Sequence, residues 1–213
     1  MRKMKHLLIV GAGGFGRELV GIAQGSLGFG ETFDVAGFLD ARADALADFT
    51  GYPPIVGDPQ TYQPAPDDVF ITALGDVAAR QRCVETLAAR GARFLTLVHR
   101  SASVDVHAHL GDGVLVAQNA VVSADAVIGD HTCVFQGAVI GHDARLGAFA
   151  HVYALSVLGG GVTLGDGAVV YPGARIVPRR KIGAHAVIGI GAIVLTHVRD
   201  GETIFQLPAT RSL

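Results

Sequence analysis

Ala126-Val127-Ile128-Gly129-Asp130-His131-Thr132-Cys133-Val134-Phe135-Gln136-Gly137-Ala138-Val139-Ile140-Gly141-His142-Asp143 is the stretch that decides the fold of this chain. An aliphatic residue returns at every sixth position, at Ile128, Val134 and Ile140. The same phase extends in both directions without an insertion. Upstream it passes Val122, Val116, Leu110 and Val104 to Val98, and downstream Leu146, Val152, Leu158, Leu164, Val170, Ile176, Ile182 and Ile188 to Val194. All seventeen positions are Leu, Ile or Val, types that make up roughly a quarter of the chain, so an unbroken run in one phase marks a structural repeat.

The other positions of the hexad give the repeat a physical form. Two residues before the aliphatic stands a small side chain, as at Ala120, Ala126, Ala138, Ala144, Ala150, Ala168, Ala174, Ala186 and Ala192, which suits a tight corner. The residue after it is often glycine (111, 129, 141, 147, 159, 165, 183, 189), which tolerates close backbone approach and unusual φ at a turn. Short flat strands joined by tight corners follow, three sides closing one coil of about 18 residues around a column of aliphatics. About 100 residues then make five to six coils. The period itself is silent on the handedness of such a parallel β-helix.

The N-terminal part has another grammar. Leu7 to Val10 reads as a strand, Gly11-Ala12-Gly13-Gly14-Phe15-Gly16 as a tight turn and Arg17 to Gln24 as a helix, together a βα unit. Phe33 to Leu39 reads as a second strand ending at Asp40, and Val69 to Leu74 as a third ending at Gly75-Asp76. Ala78 to Arg90 reads as a helix, and Phe94 to Val98 as a strand leading into the first coil. Alternating strands and helices imply a parallel sheet. The chain is therefore expected to be α/β plus β-helix, with a small Rossmann-like domain over 1–97 and a repeat domain over 98–213. The period fails at Asp200, so Gly201 to Leu213 reads as a capping or docking tail over the open coil end.

Composition removes several classes of function. Seventeen Lys and Arg against nineteen Asp and Glu leave a formal charge of −2, so there is no basic field to hold a nucleic acid. Met1-Arg2-Lys3-Met4-Lys5 before Leu7 imitates a secretory signal, but its apolar run stops after four residues at the glycine cluster. The longest later apolar stretch, Ala186 to Leu195, is well short of the ~20 residues of a spanning helix, so no membrane segment is expected. Two cysteines, Cys83 and Cys133, without CxxC spacing, signal neither a disulfide framework nor a zinc site. A cytoplasmic protein is the default expectation.

Two places carry chemistry. Gly11-x-Gly13-x-x-Gly16 lies between a strand and a helix, where its glycines let a phosphate reach backbone N–H groups at the helix start. Asp40, at the end of the second strand, suits a ribose or base. The alternative is a merely structural turn, and a domain this small favours one nucleotide over two. Of nine histidines, His6, His99, His107, His109, His131, His185 and His197 are expected to face solvent without a role. His142 follows a corner glycine on the outer surface of the coil beside Asp143, an arrangement that orients an imidazole and makes it more basic, as a general base requires. An exposed His beside an Asp by chance is the plainer reading. Eighteen residues on, Gly160 should lie one coil above His142, offering an N–H to an oxyanion or serving simply as another turn glycine. His151 lies nine residues from His142, and no spacing joins the pair to a third histidine, so no metal site is expected. Arg179-Arg180-Lys181 further up the column suits phosphates or a solvated face.

Gly11-Ala12-Gly13-Gly14-Phe15-Gly16-Arg17-Glu18, Gly37-Phe38-Leu39-Asp40, Leu74-Gly75-Asp76 with Arg80, the unbroken hexads and Gly141-His142-Asp143 together resemble the bacterial nucleotide-sugar acetyltransferases of surface-glycan pathways. That group includes GDP-perosamine N-acetyltransferases, UDP-4-amino-sugar N-acetyltransferases and sialic acid O-acetyltransferases. The resemblance implies a left-handed β-helix and a cytoplasmic homotrimer with acetyl-coenzyme A in the groove between neighbouring helices. It also implies transfer to the 4-amino group of a nucleotide-linked 4-amino-4,6-dideoxy sugar, in lipopolysaccharide or related glycan synthesis. By the same resemblance His142 is the base, Asp143 its acidic support, and His151 and Gly160 are coenzyme contacts. Gly13, Gly14, Phe15 and Asp40 are the sugar-nucleotide contacts. Gln206-Leu207-Pro208-Ala209-Thr210 departs from the usual Gly-x-Pro-Ala ending of the family, and Val177-Pro178-Arg179-Arg180-Lys181 is more basic than usual. Sialic acid or other sugar O-acetylation, a non-catalytic nucleotide-sugar-binding protein on the same frame, and an NAD-dependent oxidoreductase are the competing readings.

Overall fold

The computed structural model describes residues 3–206, and the part of the tail beyond Gln206 lies outside them. The described residues form two compact units, one of residues 3–100 with 112–115 and the other of residues 101–111 with 116–206.

The first unit is a four-stranded parallel sheet with two helices. In chain order these are β1 (Lys5–Val10), α1 (Gly14–Gln24), β2 (Phe33–Leu39), β3 (Ile55–Gly57), β4 (Asp68–Thr72) and α2 (Val77–Ala88). The sheet order is β3-β2-β1-β4, so β1 is central, pairing Leu7 with Val35 on one side and with Val69 on the other. A parallel sheet covered on both faces wants continuous apolar strands. Leu7, Leu8, Ile9 and Val10 of β1 and Val69, Phe70 and Ile71 of β4 are accordingly all buried. Asp76 caps α2, accepting from the Ala79 N–H at 2.7 Å. The sequence reading missed β3, a three-residue strand behind Pro53 and Pro54 that is too short to show a period.

The second unit is a left-handed parallel β-helix of two-residue strands. Val127 pairs with Arg145, Arg145 with Thr163 and Thr163 with Lys181, eighteen residues at each step. The aliphatic column from Val116 to Val194 is almost wholly inside, and the alanines two residues before it, from Ala120 to Ala192, are buried with it. Each Val, Leu or Ile withdrawn from water in this way contributes about 1.5–3 kcal/mol before the entropy of ordering the chain is subtracted. The buried Thr132 hydroxyl is satisfied locally: its Oγ1 donates to the Gly147 carbonyl at 2.7 Å and accepts from Ala150 N–H at 3.1 Å.

Three expectations are corrected. The unusual φ does not fall on the glycine after each aliphatic; it falls two residues later, on every sixth residue from Gly113 to Gly191. Eight of those positions are not glycine, among them Asp143 at φ 58°, Leu155 at 61° and Arg179 at 60°. The glycines after the aliphatics answer close approach alone. A Cβ on Gly129 would stand 2.6 Å from the Gly147 carbonyl carbon, and one on Gly159 2.7 Å from Pro178 N. Second, His131 is buried, because its ring stacks on Phe149 of the next coil at 4.8 Å between centroids. Third, the coil does not stop at Gly201. Thr203–Ile204 is a further strand pairing with Val187–Ile188, sixteen residues away, so the last coil simply drops two residues.

Candidate functional site

In the first unit the glycine turn sits where the parallel strands end. Gly11 adopts φ 105° and donates from its N–H to the Leu39 carbonyl at 2.7 Å, folding the chain back over the sheet. Gly16 brings α1 onto that turn, since any Cβ there would overlap the Gly11 carbonyl. Gly13 and Gly14 are different: a Cβ on either would meet nothing within 4 Å. Gly13 is the N-cap of α1 and Gly14 its first residue, with no side-chain cap and no acidic residue in the first turn. The helix start therefore presents backbone N–H groups to open space, which suits an anion. Phe15 follows on the same turn, partly exposed.

Asp40 braces this turn. Its Oδ2 accepts from Ala12 N–H at 2.9 Å and from an Arg42 Nη at 3.0 Å, and its Oδ1 accepts from Arg42 N–H at 2.9 Å and Nε at 3.0 Å. Burial pushes the carboxyl pKa up. The Arg42 guanidinium and the two backbone donors outweigh burial and hold it below the ordinary carboxylate range. Beside it opens a cleft of about 310 Å³ at the carboxyl ends of the strands, the crevice where ligands of open parallel sheets bind. Gly11, Asp40, Arg42, Asp58, Gln60 and Cys83 are on its wall. Sequence reading reached Gly11 and Asp40 but not Arg42, Asp58 or Gln60. Arg42 stands three residues past β2, and Asp58 directly follows the strand that escaped notice.

In the second unit the turn after Val139–Ile140 carries His142 and Asp143. The left-handed backbone of Asp143, fixed by its N–H donating to Ala124 O at 3.0 Å, turns the carboxylate beside the imidazole: Nδ1 and Oδ2 are 2.7 Å apart. An ionised carboxylate only accepts, so Nδ1 is the nitrogen that carries a hydrogen towards it, and in the neutral ring Nε2 is the acceptor. Both side chains are exposed, 71% and 66%. Gly160 lies directly over the ring, where a Cβ would overlap Nε2. The Gly160 carbonyl accepts from Arg179 N–H at 2.9 Å, whereas among the described residues its own N–H donates to nothing. An oriented imidazole, an open Nε2 and an unused N–H thus converge on one patch of the coil surface, a proton acceptor beside a donor for developing negative charge.

His151 is elsewhere. It is half a coil on from His142, on the strand His151–Val152, and buried. Its ring lies against Phe135 (5.7 Å) and Tyr153 (5.4 Å), with Nδ1 3.3 Å from the Tyr153 hydroxyl. Phe135, Tyr153 and Tyr171 stack in register up this face, centroids 4.8 and 5.4 Å apart. Neither cysteine forms a disulfide and both are buried, and burial pushes the Cys83 thiol up. Among the described residues no cluster of three or more metal-ligating side chains occurs, and no helix is long and apolar enough to cross a membrane.

Residues 6–87 match the family of the PglD N-terminal domain. None of the curated proteins matches the chain. Among solved structures, the chain is similar to PerB from Caulobacter crescentus in complex with CoA and GDP-perosamine (32% identity, 93% of this chain and 92% of that chain, TM-score 0.81). It is also similar to a histidine-to-asparagine mutant of perosamine N-acetyltransferase from the same organism, again with CoA and GDP-perosamine (30%, 96% and 95%, TM-score 0.83). A third similar structure is the acetyltransferase domain of PglB from Neisseria gonorrhoeae in complex with acetyl coenzyme A (29%, 94% and 96%, TM-score 0.85).

Proposed function

The chain belongs to the nucleotide-sugar acetyltransferases, acyltransferases whose cosubstrate is acetyl-coenzyme A, and from that premise we propose that it N-acetylates the 4-amino group of a nucleotide-linked 4-amino-4,6-dideoxy sugar for surface-glycan synthesis in the cytoplasm. The observation that carries this reading is the Asp143–His142 pair beneath an open Gly160.

His142 Nε2 takes a proton from the acceptor amine as its nitrogen bonds to the thioester carbonyl carbon. Asp143 holds the imidazole in the required tautomer and stabilises the imidazolium that forms. The Gly160 N–H donates to the carbonyl oxygen as it gains charge. The C–S bond then breaks and the thiolate leaves, so atoms balance without an acyl-enzyme. The burial of both cysteines supports this direct route. Gly13, Gly14 and Phe15, with the start of α1, hold the diphosphate of the sugar nucleotide. Asp40 acts there chiefly by fixing the turn, since both its oxygens already accept from Ala12 and Arg42.

A homotrimer accords with the position of His151. A coenzyme site that uses both His142 and His151 needs them from different copies, because half a coil separates them in one chain. Transfer to the hydroxyl of a sialic acid or another sugar uses the same base and is the competing reading. Coenzyme A release, measured over a panel of nucleotide amino sugars and sialic acids, separates the two. Turnover is expected with a nucleotide 4-amino sugar, and turnover with sialic acids alone would contradict the N-acetyl assignment.

A further inference from the structure

Gly160 and Gly161 are each covered by a side chain from a neighbouring coil. His142 rises from the coil below, and a Cβ on Gly160 would overlap its Nε2. Arg179 comes from the coil above. A Cβ on Gly161 would stand 3.4 Å from Arg179 Cγ, with Arg179 Cβ farther off, so this side chain leans down the column towards His142. The backbone holds the three coils in step: Gly161 N–H donates to the His142 carbonyl at 2.8 Å and Arg179 N–H to the Gly160 carbonyl at 2.9 Å. Of the three consecutive basic residues here, Arg180 is engaged elsewhere, its Nε donating to the Leu195 carbonyl at 2.9 Å, and Lys181 lies past the corner on the strand Lys181–Ile182. Arg179 is exposed and makes no ion pair among the described residues.

The coil makes no demand for arginine at this place. Its backbone is left-handed, φ 60°, and glycine fills the equivalent place one coil below at φ 68° without the strain a side chain brings. The reaction, in contrast, has a use for a cation there. As the acceptor nitrogen bonds to the thioester carbon and gives its proton to His142 Nε2, the C=O electron pair moves onto oxygen. When that pair re-forms the carbonyl, the C–S bond breaks and sulfur leaves with the bonding pair as thiolate. Negative charge therefore appears first on oxygen and then on sulfur, and the Gly160 N–H is a neutral donor to the first alone. A guanidinium stays charged at every working pH and acts on both through space, without one fixed contact.

We infer that Arg179 serves the acyl transfer itself: its guanidinium reaches past Gly161 to the thioester bound over Gly160 and stabilises the charge that develops on the carbonyl oxygen and the leaving sulfur. This inference rests on the acetyl-transfer reading above and adds to it a cation that His142, Asp143 and Gly160 do not supply.

Steady-state kinetics of the full chain and of two variants test it. Arg179→Met keeps the apolar stem and removes the charge, whereas Arg179→Lys keeps the charge. Arg179→Met is expected to lower kcat about tenfold while both KM values stay within about twofold of the parent, and Arg179→Lys to recover most of the loss. Melting temperatures should not move in either variant, since the backbone bond from Arg179 N–H is kept. Every acceptor shares the same thioester, so the loss is expected with a nucleotide 4-amino sugar and with a sialic acid alike. Turnover of sialic acids alone would thus end the N-acetyl reading while Arg179→Met still shows its loss. A Met variant with the parent's kcat, or one whose loss lies wholly in the KM for acetyl-coenzyme A, would overturn the role given to Arg179, and so would a Lys variant as slow as the Met variant. If coenzyme A release occurs with no acceptor at all, the acetyl-transfer reading falls and the inference with it. Should Arg179→Met fail to fold, Arg179→Gln takes its place under the same expectations.

Discussion

Glycine serves two opposite ends in the two halves of this molecule. Along the β-helix, glycines such as Gly129 and Gly141 stand where the next coil leaves no room: a Cβ on either would come 2.6 Å from backbone of the coil above. In the N-terminal turn, Gly13 and Gly14 stand where there is nothing but room. The first kind is filled by the protein itself and holds the fold. The second is a vacancy that the fold does not need. Glycine content by itself says nothing about function, whereas the space around each missing Cβ does.

Paired substitutions break the comparison most sharply. Gly129→Val forces the backbone of two coils apart and is expected to cost at least 1–3 kcal/mol, about the usual price of overpacking, read as a lower denaturant midpoint. Gly13→Val should leave that midpoint in place and instead raise the KM for the nucleotide sugar roughly tenfold, with acetyl-coenzyme A unaffected. Equal melting of the two variants would dissolve the distinction.

Gly160 stands on the boundary between the two kinds, because its missing Cβ is replaced by a movable, exposed side chain, His142, rather than by backbone. Gly160→Ala is expected to displace the imidazole and lower kcat about a hundredfold while thermal stability stays near that of the parent. A large stability loss with normal kcat in the folded fraction would place Gly160 among the purely structural glycines. The smallest effect is at Leu155, an exposed leucine held at φ 61°. Leu155→Gly removes the left-handed strain and should stabilise the coil by about 1 kcal/mol, net of the entropy glycine costs, in equilibrium unfolding.

The coil was legible because one residue type recurs in one phase and each recurrence is buried, from Val116 to Val194. Phe33–Leu39 was legible instead as a short, mostly apolar run that ends at Asp40. What escaped was set by contacts that distant residues make. His131 is buried by a ring eighteen residues on, Asp40 is occupied by Arg42 and Ala12, and β3 is a strand only because β2 offers it an edge. The left-handed positions escaped too, since Asp, His, Phe, Leu and Arg occupy them as well as glycine; the demand there comes from the coil, not from the residue. At the site, the sequence placed His142, Asp143 and Gly160 on one patch by counting eighteen residues, but it had no sign of Asp58.

The central claim is that His142 acts on the surface of a frame that does not depend on it. His142→Asn, assayed for kcat alongside thermal unfolding and titration with both substrates, tests this most directly. A fall in kcat of about 10²–10⁴-fold, with melting temperature and affinities unchanged, is the expected result for loss of a positioned general base. A kcat within a few-fold of the parent would contradict the assignment of the base, and a protein that no longer folds would show the histidine to be part of the frame.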